Sequence, residues 1–210
     1  MEKRLKLLRF DEGLPLIDYL TIEQDLVKSV QEPTLFTWIV SPTVIYGRHQ
    51  SAEVEVNEAY CREHDIAVVQ RKSGGGCVYA DEGNLMISFI SPSTHSEQVF
   101  AQFLAMVAQA LQTKGLPAVT TAHNDILVDG RKVSGCACFT APTGTIVHGT
   151  LLYDVNLEAM LAAITPTTAK LAKHGVASVR QRVANLRELT TAFDSIHALR
   201  AYIEGYIGNL

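Results

Sequence analysis

Apolar positions along this chain switch between a period of two and a helical period, and the switches predict its elements. "LKLLRF" reads as a first strand. "LIDYLTIEQDLVKSV" follows as a helix, with Ile17, Leu20, Leu26 and Val30 at roughly helical spacing. "TLFTWIV" and "TVIYG" are β-branched and aromatic, and Ser41-Pro42 breaks them into two adjacent strands. "NEAYCREH" predicts a short helix. "IAVVQR" is a strand that runs into three glycines, and "CVYA" and "LMISFI" are strands around the turn-rich Asp81-Glu82-Gly83-Asn84. The clearest helix covers 94–114, where Val99, Phe100, Phe103, Leu104, Val107 and Leu111 form one apolar face. Thr94 and Glu97 fit a capping box at its start, and Gly115 and Pro117 end it. "DILVDGRKVSGCACF" reads as strand, turn, strand on an Asp129-Gly130 hairpin, and "GTIVHGTLLYDV" continues the sheet. "LEAMLAAI" is a helix, Pro166 a break, and 194–207 a last helix with Ile196, Leu199, Ile203 and Ile207 toward the core. This alternation predicts a mixed α/β domain.

Composition narrows the classes. A chain of 210 residues, 47% hydrophobic and 19% charged, suits one globular domain over 1–210, with no linker and no second domain expected. Net charge is −4 and no basic run dominates, so a general nucleic-acid binder is not expected, while a local basic spot still suits one anionic ligand. The start has no apolar export region and no stretch reaches membrane-spanning length. Cys61, Cys77, Cys136 and Cys138 match no disulfide framework, so reduced thiols in a cytoplasm are expected.

Three segments are candidates for chemistry. In "QRKSGGGCVYADEGNL", Gly74, Gly75 and Gly76 lack Cβ atoms. Their N–H groups can line an anion nest, or the triplet can be a mobile loop. Arg71 and Lys72 add charge there and Ser73 a hydroxyl; the strand–loop–strand setting favours a site. In "HNDILVDGRKVSG", Lys132 is either solvated or aimed into a cleft, where its ammonium would hold a phosphoryl or carboxylate oxygen. Asn124-Asp125 is a turn pair or a ligand-orienting pair, with Asp125 a candidate metal ligand. In "VHGTLLYDV", His148 is a base or a hydrogen-bonded structural histidine, followed by Gly149 and Thr150. Cys136 and Cys138 share one strand face, no metal-ligand spacing joins them, and buried thiols are the simplest reading. Cys77 borders the glycines and is placed near any ligand, though not as a nucleophile.

Taken together, these segments resemble the lipoate–protein ligase A family, a relative of biotin ligases and octanoyltransferases. "QRKSGGGCVYADEGN" is similar to its RRxSGGGxVxHDxGN, and "NDILVDGRKVSGCA" to its NDxxxxGxKxSGxA. "HGTLL", "IYGRHQ" and "GVASVRQRVANLREL" match further motifs, in order, over about 16–189. The resemblance implies an α+β catalytic domain of the biotin/lipoate ligase type, a largely antiparallel sheet flanked by helices. It implies that lipoate and ATP form lipoyl-AMP, and that the lipoyl group passes to a lysine of lipoyl carrier domains. Those carriers belong to 2-oxoacid dehydrogenase complexes or are the glycine cleavage H protein. Lys132 would bind the activated carboxyl and the α-phosphate, and Arg71 the nucleotide. Gly76, Cys77, Val78 and Tyr79 would cradle the adenylate and line the lipoyl channel. Asn124 and Asp125 would line the nucleotide side, and Ser73, Ser134, Gly135, His148, Gly149 and Thr150 complete the expected site. Mg²⁺ would accompany ATP rather than occupy a dedicated protein site. The chain departs from the family at Gln70 and Ala80, where an arginine and a histidine are usual, and no accessory domain, which a separate protein can supply, is expected within 1–210. Two other readings stay open. One is an octanoyltransferase acting through an acyl group on Cys136 or Cys138; the other is a lipoate-binding protein without turnover.

Overall fold

The computed structural model describes residues 5–10, 12–122, 124–164 and 182–209. In chain order the elements are β1 (Lys6–Leu7), α1 (Leu16–Ser29), β2 (Thr34–Trp38), β3 (Thr43–Tyr46), α2 (Ala52–Glu55), α3 (Glu58–Glu63), β4 (Ala67–Gln70), β5 (Val78–Ala80) and β6 (Asn84–Ser91). There follow α4 (Ser96–Gln112), β7 (Ala118–Thr120), β8 (Asp125–Val128), β9 (Arg131–Ala141), β10 (Gly144–Leu152), α5 (Leu157–Ala163), α6 (Leu186–Leu189) and α7 (Ile196–Gly208).

Seven strands form one sheet in the order β1-β2-β6-β10-β9-β8-β7, antiparallel throughout except for the β1–β2 pair. A smaller sheet, β4-β3-β5, pairs β3 parallel to β4 and antiparallel to β5. This is the mixed, largely antiparallel α/β architecture the sequence predicts. The β8–β9 turn is the expected hairpin, with Asp129 and Gly130 both at positive φ (49° and 76°), as a two-residue primed turn requires.

Central strands are buried on both faces, which explains their near-continuous apolar sequence. In β6, Leu85, Ile87 and Phe89 face the core under α4 and α7, while Met86 and Ile90 face the core under α1. Phe103, Val107 and Leu111 of α4, and Leu199, Ile203 and Ile207 of α7, fill the first core as their spacing predicts. Each such side chain contributes roughly 1.5–3 kcal/mol on leaving water.

Three local expectations fail. The buried face of α1 is Leu16, Tyr19, Glu23 and Val27, and Ile17 is 53% exposed, because the helix turns its mixed face rather than its most apolar one to the sheet. The Thr94/Glu97 capping box does not form: α4 starts at Ser96, and Ser93 Oγ instead accepts from the His95 N–H at 3.2 Å. "LKLLRF" yields only the two-residue β1. Strand β7, which the sequence reading did not anticipate, closes the far edge of the large sheet. The break at Pro166 and most of "GVASVRQ" lie outside the described residues.

Candidate active site

A pocket of about 220 Å³ opens where the small sheet meets the α1 face of the large one. Its lining mixes polar groups, among them Asn124, Asp125, Lys132, His148 and the glycine loop, with the apolar Leu20, Trp38, Ile45, Val78 and Met86. The pocket draws on segments more than a hundred residues apart in sequence, as the sheet order demands.

The glycine loop is held from beneath by Arg71. Its guanidinium is buried and donates to three backbone carbonyls: Ile45 O at 3.0 Å, Gly74 O at 2.8 and 3.2 Å, and Gly76 O at 2.6 Å. Burial lowers its pKa from the usual arginine value. Arg71 lines the pocket, but most of its donors are spent on the loop itself, so its first role is to shape the loop. Gly75 takes φ +89°, which favours glycine, and a Cβ on Gly47 would sit 2.4 Å from Gly75 O. The "GRHQ" turn therefore packs backbone to backbone against the loop. Gly74, Gly75 and Gly76 donate no backbone hydrogen bond among the described residues, which leaves their N–H groups available.

Lys132 reaches the pocket through a β-bulge. The β8–β9 register slips between Ile126 and Leu127, so that Val133 is an extra residue on β9. Val133, Cys136 and Cys138 face the α4 core, whereas Phe139 and Ala141 face the α1 core. Simple alternation from Cys136 would put Lys132 on the α4 side; the bulge turns it to the pocket. There Lys132 Nζ lies 2.8 Å from Asp125 Oδ1. A Cβ on Gly135 would meet the lysine's Cε and Nζ at 3.1 Å, so this glycine makes room for the side chain.

His148 sits beside a buried polar chain that the sequence does not announce. Ser73 Oγ is 2.8 Å from His148 Nε2, and His148 Nδ1 is 3.1 Å from Glu23 Oε2. Ser88 Oγ donates to Glu23 Oε1 at 2.6 Å and accepts from Trp38 Nε1 at 2.8 Å. One proton placement satisfies every group: both carboxylate oxygens of Glu23 accept, and Ser73 donates to Nε2. Burying Glu23 at 1% exposure is tolerable only with such partners.

The expected site residues thus divide. Arg71, Gly75, Gly76, Cys77, Val78, Asn124, Asp125, Lys132, Gly135, His148, Gly149 and Thr150 line the pocket. Gly74 offers its carbonyl to Arg71, and Thr150 Oγ1 ties to Gly135 N at 3.1 Å. Ser73 stands behind His148 rather than in the pocket wall. Ser134 is buried beside Cys136 Sγ at 3.5 Å. Tyr79 packs into a separate core with Val44 and Cys61 and is not among the residues that line this pocket. Glu23, Ser88, Trp38, Leu20 and Met86 were missed. A carboxylate at the Leu16–Tyr19–Glu23–Val27 spacing was the available signal for Glu23.

The thiols are poorly suited to act as nucleophiles. Burial pushes Cys136 up to about 12, against the opposing pull of Ser134 and Lys132, and Cys77 is likewise pushed up to about 12 by burial, then by Glu55. Cys138 is raised by burial too. Cys136 Sγ also points toward Phe103 under α4, where a Cβ on Gly149 would touch both.

Comparison with known proteins agrees with this geometry. The family model for the lipoyl protein ligase A/B catalytic domain matches residues 17–206. The chain belongs to that family. Lipoate-protein ligase LplJ of Bacillus subtilis (strain 168) is 36% identical over 193 residues, 90% of this chain and 58% of that protein. Lipoate–protein ligase 1 of Staphylococcus aureus is 38% identical over 172 residues, 80% of this chain and 52% of that one. The chain therefore spans little more than half the length of these curated relatives. Among solved structures, the bi-partite lipoate protein ligase of Thermoplasma acidophilum superposes with a TM-score of 0.83 at 26% identity, covering 100% of this chain and 83% of that one. A lipoate-protein ligase A bound with ATP superposes at 0.81 with 25% identity, covering 100% and 85%. Among the described residues, no helix is long and apolar enough to cross a membrane.

Proposed function

We propose that this chain is the catalytic domain of a lipoate–protein ligase, which joins lipoate to ATP as lipoyl-AMP and passes the lipoyl group to a lysine of a lipoyl carrier domain. One observation carries the reading. A pocket with apolar lining also holds Lys132 and a glycine loop whose N–H groups have no partner among the described residues, a combination that suits an acyl chain and an adenylate together.

In the first step a carboxylate oxygen attacks the α-phosphorus, and pyrophosphate leaves. Negative charge builds on the nonbridging oxygens, and preorganised donors offset it in a site that excludes water. Lys132 is the donor for that charge and for the carboxyl, and it exchanges Asp125 for the substrate as the nucleotide enters. In the second step the carrier lysine's amine attacks the mixed anhydride, its proton departs to solvent, and AMP leaves. Holding the two partners in register supplies much of the rate. Mg²⁺ would travel on the triphosphate oxygens; Asp125 is engaged by Lys132, so a direct magnesium bond there requires the ion pair to open. The partners are lipoyl domains of 2-oxoacid dehydrogenase complexes or the glycine cleavage H protein. The matched regions are 58% and 52% of the two curated relatives, so the whole-protein activity is proposed here for the catalytic domain.

The test mixes the protein with lipoate, ATP, Mg²⁺ and an apo lipoyl domain, and in parallel with preformed lipoyl-AMP and the domain. Intact-mass spectrometry then reads the lipoyl mass gain. Gain from lipoyl-AMP supports the transfer step, and gain from ATP supports both. No gain in either arm overturns the reading.

A further inference from the structure

Gly135 is the residue at which β9 changes partners. The ladder with β10 runs from Ala141 opposite Gly144 to Cys136 opposite Gly149 and stops there. The ladder with β8 starts at Gly135, opposite Asp125. One register step past the end of the β10 ladder, Thr150 stands across from Gly135. A side chain closes this pair. Thr150 Oγ1 accepts from the Gly135 N–H at 3.1 Å, and its hydroxyl donates to Gly135 O at 3.3 Å. One hydroxyl carries a proton and two lone pairs, so a single oxygen serves both bonds. Thr150 is itself fixed from its other side, in register with Met86 of β6.

These bonds bear on Lys132, because the bulge at Val133 lies between Lys132 and Gly135. At the near end of the bulge, Lys132 O accepts from the Ala184 N–H at 3.0 Å. At the far end, Thr150 grips Gly135. The lysine side chain runs back over that glycine, where a Cβ would meet Cε and Nζ at 3.1 Å. Asp125, the β8 partner of Gly135, holds Nζ at 2.8 Å. That ion pair opens when a substrate oxygen takes the ammonium. The backbone beneath the ammonium then has to keep its place, and Thr150 fixes it from β10.

Resting on the function proposed above, we propose that Thr150 is a positioning residue. Its hydroxyl holds Gly135, and through Gly135 the bulge that aims the Lys132 ammonium at the reacting carboxyl and phosphate oxygens. It acts through Lys132 and not by touching the substrate.

The experiment uses the full chain, preformed lipoyl-AMP and an apo lipoyl domain, with kcat and KM read by intact mass and a thermal melt of each variant. Thr150→Val keeps the shape and removes both bonds. It is expected to lower kcat about tenfold or more, the scale of a misplaced catalytic group, and to leave KM within about twofold of wild type. Thr150→Ser keeps the hydroxyl and is expected to restore the wild-type kcat. Added to Lys132→Ala, Thr150→Val is expected to cost nothing further, because both changes act through one ammonium. Thr150→Ala takes the place of the valine variant throughout if valine does not fold. An unchanged kcat in the folded variant, a loss that serine does not restore, or an equal further loss on top of Lys132→Ala overturns the positioning role while leaving the ligase reading intact. A wild type that transfers no lipoyl group overturns both.

Discussion

Removing the Lys132 ammonium takes away a side-chain cation of the pocket that, unlike Arg71, is not spent on the glycine loop's carbonyls. Lys132→Ala is expected to lower lipoyl transfer by about 10²–10³-fold, the usual cost of losing a preorganised donor to transition-state charge. Its melting temperature should move little, because the lysine is partly exposed, and intact-mass transfer assays with parallel thermal melts would check both. Glu23→Ala has the opposite signature. It strips the acceptor from Ser88 and His148 in the interior, so denaturant titration should show a loss of about 2–5 kcal/mol, against much less for Ser73→Ala. The thiols give a pH prediction. Cys77 and Cys136 hold their protons in the fold to about 12, whereas an unfolded thiol loses its proton near 8.5. The folded state then binds more protons than the unfolded one above that point. Stability is whole below pH 8.5 and falls as pH rises toward 12, and the fall should shrink in Cys136→Ser. At this scale the sequence showed Lys132 and the glycines plainly, through their local pattern. It hid Glu23, whose partners Ser88 and His148 are 65 and 125 residues away.

The glycine loop and the β9 bulge carry the site between them as elements. Gly47→Ala would place a Cβ 2.4 Å from Gly75 O, a backbone atom that cannot rotate aside. Gly47→Ala is therefore expected to displace the loop and weaken adenylate binding by tenfold or more, read by calorimetry with a nonhydrolysable lipoyl-adenylate, while Gly74→Ala, with nothing within 4 Å, is expected to do far less. Elements were legible wherever periodicity was strong, as in α4 and α7. They were misread where the decisive partner lay elsewhere. Ile17 belonged to the most apolar stripe of α1, yet the sheet accepts the Tyr19–Glu23 face, because Tyr19 stacks on Trp38 at 4.7 Å and Glu23 meets Ser88 and His148. The bulge at Val133 left no sequence mark, although it decides which way Lys132 points.

For the whole molecule, the chain matches the catalytic-domain family along 17–206 and spans 58% and 52% of two curated relatives. A ligand bound across α1, the small sheet and β8–β10 ties together distant parts of the fold. A nonhydrolysable lipoyl-adenylate at about 100 times its Kd should accordingly stabilise the protein by about 2.7 kcal/mol, measured as a concentration-dependent rise in melting temperature. No rise at saturating ligand would show that the pocket does not hold the adenylate. The sequence by itself determined the α/β class, the hairpin at Asp129-Gly130, the apolar faces of α4 and α7, and the family motifs. Those depend on local backbone preference and on residues close along the chain. Only the tertiary structure decided that Arg71 serves the loop's carbonyls, that His148 is held between Ser73 and the buried Glu23 carboxylate, and that Cys136 and Cys138 pack toward α4. Those are matters of which face meets which, and strand register and the packing of α1 settle them through contacts between residues far apart in sequence.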